Sequence, residues 1–152
     1  MRTLGNVLWH FPFLGFVTAA LFWLLGLLLT VLVVTAPIGL GLMELGKFLL
    51  APFGRSMVSK ADLAMAQNPV WKAYSTLIML LYLPLGILLF VASAIQVVAY
   101  CLAVVTIPVA LVIAKSLGTI LNPVNKVCVP LAVAEELERR KAGATLDTLG
   151  RR

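Results

Sequence analysis

VVTAPIGL at residues 33–40 returns 71 residues later as VVTIPVAL at residues 104–111. Sliding residues 14–58 onto 85–129 without a gap gives ten identities in 45 positions. Leu and Val match easily by chance in an apolar chain. Gly15/Gly86, Thr35/Thr106, Pro37/Pro108 and Pro52/Pro123 in one register are more telling, and Arg55 against Lys126 keeps a positive charge after the second proline. A short chain with such self-similarity reads as a duplicated unit.

The setting of that unit follows from charge. There is no Asp, Glu, Lys or Arg from Thr3 to Met43, nor from Ala73 to Ala114. The chain is 62% hydrophobic and 12% charged, with a mean hydropathy of +1.06. Soluble domains carry about a quarter charged residues. Each charge-free block is about twice the ~20 residues that span a bilayer core as helix, so each must bend, re-enter or cross twice. The reading is an integral membrane protein, its partners the lipid bilayer, further copies of itself and other membrane proteins. Arg2 ahead of an apolar run imitates a secretory signal, but the run outlasts a ~7–15 residue signal core, so it is expected to be retained.

The net charge of +6 does not imply nucleic acid, because the basic residues flank the apolar blocks instead of forming a patch with interleaved aromatics. Four Lys/Arg lie in residues 44–72 and seven in 115–152. Flanking positive charge orients membrane segments: with the basic loop and the C-terminal tail both in the cytoplasm, the favoured reading, each unit crosses an even number of times, whereas one full span per unit would put them on opposite sides. Cys101 and Cys128 have no metal-ligand spacing. With one histidine, two aspartates and no nucleophile motif or phosphate loop, no enzyme, metal site or cofactor is expected.

The expected fold is all-α: two tandem repeats, each a long transmembrane helix (roughly 13–35 and 85–106), a proline bend, and a shorter re-entrant or interfacial helix (38–51 and 109–122). Proline removes a backbone donor and disfavours helix before it, which makes Pro37, Pro52, Pro108 and Pro123 the bend residues. Pro12 and Pro84 are further break points, either kinks or hairpin tips. The domain reading is a first membrane repeat at 1–58, a polar connecting loop at 59–72, a second repeat at 73–129 and a charged tail at 130–152. Ser59-Lys-Ala-Asp62 resembles a capping box and predicts a short helix stopped at Asn68-Pro69. Pro130 predicts the first turn of an exposed helix over 130–142, supported by Glu135–Arg139 and Glu136–Arg140 at i,i+4, with 143–152 frayed.

Met1-Arg2-Thr3 with Asn6, Trp23-Leu-Leu, and Pro37 followed by Glu44, Lys47 and Pro52-Phe-Gly54 resemble the YccF inner-membrane family. Ile107-Pro108-Val, Lys115 and Pro123-Val resemble a second copy of the same domain, so the likeness covers about residues 1–129. The second copy departs from it in Thr-Ile-Pro-Val-Ala and in Asn125, which stands where glycine is common. The resemblance implies a bacterial inner-membrane protein and brings little mechanism.

The residues singled out for function are the polar ones near membrane depth. Glu44 and Lys115 occupy one position in the two units, seven residues after each proline. Ionisable groups at that depth cost several kcal/mol unless paired or hydrated. Two uses stay open: they line a water-filled path or lock the units together, or they lie at the interface with Lys115 and Lys47 snorkelling and Glu44 pairing Lys47. Gln96 needs a partner helix or a pore. His10, Trp71 and Lys72 read as interfacial, and Gly15, Gly26, Ala99 and Ala103 as close-packing positions. The functional expectation is a small oligomeric membrane protein forming an ion or small-solute pathway, or else a non-catalytic structural or regulatory subunit.

Overall fold

The computed structural model describes residues 2–11, 13–66, 68–102 and 104–150. Pro12 and Ala103, both named above, lie outside the described residues. The chain forms α1 (Arg2–His10), α2 (Gly15–Val31), α3 (Ala36–Leu49), β1 (Arg55–Ser59), α4 (Pro69–Leu102), a 3-10 turn (Val104–Thr106), α5 (Ile107–Leu121), β2 (Lys126–Pro130) and α6 (Leu131–Gly150). It is mostly helical, with one long, strongly apolar helix, α4.

Helices α2 and α3 form one hairpin and α4 with α5 forms another. The reversals precede the prolines: Pro37 and Pro108 sit in the first turns of α3 and α5, where a missing N–H costs nothing. In the first hairpin the chain turns through Leu32–Thr35, with Val33 held at φ 55. The left-handed region is costly for a β-branched residue. Thr35 Oγ1 donates to the Leu29 carbonyl at 2.7 Å, and Thr106 Oγ1 donates to the Tyr100 carbonyl, also at 2.7 Å. Both bonds reach back six residues, and 29 and 100 are themselves 71 apart. The threonine and proline of the repeated phrase thus have separate tasks, one closing the old helix and one opening the next.

Glycine sets how closely the first hairpin packs. A Cβ on Gly26 would stand 2.6 Å from the Gly39 carbonyl oxygen, and one on Gly39 2.5 Å from that of Gly26. Backbone touches backbone there, as small residues permit in apolar helix pairs. Gly15 instead lies under the Trp9 indole. Ala99 is exposed.

The expectation of an all-α chain is corrected by a two-stranded antiparallel sheet. β1 and β2 pair Arg55 with Pro130, Met57 with Cys128 and Ser59 with Lys126. Flanking bonds run from Leu131 N to Gly54 O (3.0 Å) and from Lys60 N to Asn125 O (2.9 Å). Met57 and Cys128 are 71 apart, as are Gly54 and Asn125, and Lys60 and Leu131, so the pairing is two-fold symmetric about Met57/Cys128. Asn125 reaches the strand through a left-handed φ of 56, a conformation asparagine tolerates. The strands were hidden because each is short and its partner lies far away in sequence.

Other boundaries are corrected too. No helix follows Ser59; residues 60–64 are turns, and Asp62 N donates to Ser59 O. Asn68-Pro69 starts a helix instead of stopping one: Asn68 Oδ1 accepts from Val70 N at 2.9 Å and Pro69 opens α4. α4 continues through Pro84, which is no hairpin tip, whereas α1 and α2 meet at 79°. The tail helix begins at Leu131 and runs past 142 to Gly150. In it Glu136 holds both Arg139 and Arg140.

The core lies between the hairpins and under the sheet. Trp9, Leu45, Phe48, Leu49 and Val112 are buried together, with Met57 and Cys128 packed on them. The sheet packs on α3 and α5, and α6 covers the strands. Lys141 Nζ ties α6 to the 60–64 turn through Asp62 Oδ2 at 2.8 Å.

Two outcomes test this fold. Strand positions 57 and 128 are a non-hydrogen-bonded pair, the kind with Cα atoms ~4.5 Å apart, close enough for a disulfide. Met57→Cys in a Cys101→Ser background is expected to cross-link to Cys128 on oxidation, read as a reductant-sensitive gel shift. Burial pushes the Cys128 thiol up, so the cross-link should form faster as pH rises. A register shifted by one residue would leave it reduced. The Lys141 hydrogen bond holds the Asp62 carboxyl below its ordinary 3.8, and Asp62 in turn raises Lys141. The contribution of a depressed carboxylate is complete above the unfolded value and lost as pH falls through the folded one. The distance between spin labels at Ala61 and Ala142 should therefore hold constant near neutrality and broaden on acidification below 3.8.

Candidate functional site

The site is built where each hairpin hands its chain to the sheet. Leu50–Gly54 leads from α3 into β1, and Asn122–Asn125 from α5 into β2. Pro52 and Pro123 are fully buried at these junctions. Both prolines release the chain from helix to strand. A Cβ on Gly41 would stand 1.8 Å from the Pro123 carbonyl oxygen, so α3 admits only glycine where the second junction passes.

Glu44 and Lys115 point into this region, and each bonds to the other half of the chain. Glu44 Oε2 accepts from the Cys128 backbone N–H at 2.9 Å, while Oε1 meets Lys47 Nζ. Because position 128 is a non-hydrogen-bonded strand pair, its N–H faces away from β1, and Glu44 satisfies the open edge. Lys115 Nζ donates to the Pro52 carbonyl at 3.3 Å and lies 5.3 Å from the centre of the Phe53 ring. Gly5 of α1 also packs against that ring, and Phe53 N donates to Asn6 Oδ1 at 3.1 Å. Glu44 and Lys115 are therefore not partners of one another. Lys47 is exposed and tied to Glu44.

Aromatic side chains close the helix ends. Trp9 Nε1 donates to the Leu49 carbonyl at 2.8 Å, and Tyr82 OH donates to the Ile120 carbonyl at 2.9 Å. Leu49 and Ile120 are again 71 apart. His10 Nε2 bonds the Leu50 carbonyl at 2.9 Å, and its ring lies 6.4 Å from that of Phe16. Each supplies an orphan carbonyl at a helix C-terminus with a donor. Trp71 packs on Tyr74, whose hydroxyl donates to the Val34 and Val33 carbonyls in the first hairpin turn. Lys72 is exposed at the start of α4.

A cavity of about 400 Å³ separates the hairpins, lined by Trp9, Phe22, Leu49, Gln96, Tyr100 and Thr106 among others. Gln96 shares it with Ser93, Thr18 and Ser116, so an amide and several hydroxyls interrupt a largely apolar wall. Among the described residues, no group of three or more His, Cys, Asp or Glu is placed to hold a metal. Sequence reasoning missed Tyr74, Tyr82 and the bonding role of Asn6. The available signal was an aromatic one turn or two before Gly15 and Gly86, blurred because Trp9 and Tyr82 differ by two positions in the repeat register.

Residues 4–55 match the family model of the YccF inner membrane component domain. The match runs from α1 to the first residue of β1 and covers one copy only. No curated protein and no solved structure matches the chain. Together with the apolar α4, the match points to the inner membrane. Only 11% of the most apolar stretch of α4 is buried, which a core helix of a soluble protein would reverse.

Glu44→Gln and Lys115→Met are each expected to lower thermal stability in detergent. Loss of a charge-assisted hydrogen bond costs roughly 1.5–3 kcal/mol, and Lys115, with its longer contact, should sit at or below the low end. Since the two share no bond, the double variant should be additive within ~0.5 kcal/mol. A strong coupling energy would show that they do act on each other.

Proposed function

We propose that the chain is a non-catalytic inner-membrane component, two tandem copies of one unit (1–58 and 73–129) folded about a pseudo-two-fold axis, acting as a structural or regulatory scaffold. The observation that carries this is the use of Glu44 and Lys115. Both ionisable side chains at the repeat-equivalent position are bonded to the backbone of the opposite half. Groups engaged in this way lock two units and are poorly placed to solvate a passing ion. The pairing of Met57 with Cys128 and the matched Thr35 and Thr106 bonds support the duplication.

The apolar side chains exposed on α2 and α4 suit lipid, further copies of this chain, or other membrane proteins. The basic loop and tail are assigned to the cytoplasm by their positive charge. No cofactor, metal or nucleic acid enters this reading. A second reading, an ion or small-solute pathway in a homo-oligomer, has one observation in its favour, the Gln96 amide lining the cavity between the hairpins.

Flux measurements on the protein in liposomes separate the two. A scaffold gives no flux from well-inserted protein, while Glu44→Gln and Lys115→Met change only stability and assembly. Ion flux that Gln96→Leu alters, with assembly intact, would establish the pathway and remove the scaffold reading.

A further inference from the structure

Each hairpin turn lies beside the root of the other hairpin. Tyr74 binds the turn at Val33 and Val34, and the next residue of α4, Ser75, accepts from Asn125 Nδ2 at 3.1 Å. Asn125 is where the second hairpin enters β2. The two-fold pairing about Met57 and Cys128 puts the second turn, at Thr106, in the matching place beside the root of the first hairpin, and Thr106, Trp9 and Leu49 all line the cavity between the hairpins. The two hairpins are therefore head-to-tail. Both roots join the sheet, so both ends of α3 and both ends of α5 lie near it. These helices run along the sheet and not away from it. Layers follow: α6, the two strands, α3 with α5, then α2 and α4 outermost.

Charge follows the same layering. Glu44 and Lys115 turn to the sheet side, and the strands and the following turn carry Arg55, Lys60, Asp62 and Lys126. From Ala73 onward α4 has no charge, and α2 has none at all. Leu21, Leu24 and Leu28 on α2, with Leu81, Leu88 and Ile95 on α4, are exposed. Open strand edges and ionised side chains do not sit facing hydrocarbon, so the sheet stays in water and the helices under it stay near the interface. Length agrees. The charge-free 30 residues of α4 run ~45 Å, well beyond the ~30 Å of a hydrocarbon core.

We propose that the chain enters the bilayer from one side only: sheet and α6 in water, α3 and α5 at headgroup level, and the α2/α4 face immersed in the acyl chains of the near leaflet. Both hairpin turns then stay on the sheet's side. This rests on the membrane reading above, and it replaces multiple crossings with a broad one-leaflet wedge.

Single cysteines at Val34, Val105 and Lys60, in a Cys101→Ser/Cys128→Ala background, are labelled with a membrane-impermeant maleimide in spheroplasts and in inverted vesicles. Spin labels at Leu81, Leu88 and Ile95 report depth in vesicles from oxygen against nickel-chelate collisions. All three cysteines should react from the same side, and the three labels, seven residues apart and so on one face of α4, should report closely similar depths short of the midplane. Val34 and Val105 reacting from opposite sides, or depth moving steadily through the midplane along α4, would overturn the proposal and leave the scaffold reading intact. Release of the unsubstituted chain from membranes by carbonate would overturn the membrane reading itself.

Discussion

The rest of the structure depends on the antiparallel contact of two five-residue strands lying 71 residues apart. Their register places Met57 opposite Cys128, and the flanking bonds from Leu131 and Lys60 repeat symmetrically on either side. A two-stranded ribbon alone is marginal in water. Here it gains support on both sides: Met57 and Cys128 settle on the Phe48–Leu49 core, and α6 closes over the strands. The remaining weakness is the outward strand edge. Glu44 meets it at Cys128 N, which gives the carboxylate of α3 a backbone partner beside its ion pair with Lys47.

Once the strands are paired, the hairpins have little freedom. Each root is a buried proline next to the sheet, and each hairpin must leave in the direction opposite to its neighbour. The first turn, Leu32–Thr35, contains no glycine, so Val33 takes the strained conformation itself. Thr35 and Tyr74 supply the bonds that hold it. Strain at such a residue persists only where its surroundings over-determine it. Tyr74 comes from the other half of the chain, so the first turn and the docking of α4 stabilise one another.

Much of the helical content was legible because charge-free runs and prolines mark helices strongly. Pro37 and Pro108 located α3 and α5 to within two residues, although the reversal itself lay one step earlier, in threonine chemistry. The sheet was not legible. RSMVS and KVCVP are short, each closes a stretch read as a membrane repeat, and only pairing at long range marks them as strands. Glu44 and Lys115 were recognisable from equivalent spacing. Their partners were not, because both are backbone groups, Cys128 N and Pro52 O, which have no side-chain signature. Gln96 was recognised as an oddity in its block, and its neighbour Ser93 shows that a polar strip, not a single amide, faces the cavity.

On the tandem reading, the halves have diverged in a physically interpretable way. The first hairpin packs through Gly26 and Gly39, backbone on backbone, while the corresponding residues of the second are Val97 and Ala110. Side chains there must separate the helices that glycines bring together. The entry helices diverge as well: α1 and α2 bend by 79°, whereas α4 is one unbroken helix through the matching region, with Pro84 inside it. Gly41, forced by the Pro123 carbonyl, corresponds to Val112, which is instead a buried member of the core. Two copies sharing one axis cannot both give the same side chain to a contact on that axis, so one yields space and the other fills it. The family match to residues 4–55 falls on the half with Gly26, Gly39 and Gly41, where an added Cβ would meet backbone. The second half, freed from that restriction, keeps the threonine, the prolines and the strand, which are the parts that the shared sheet requires.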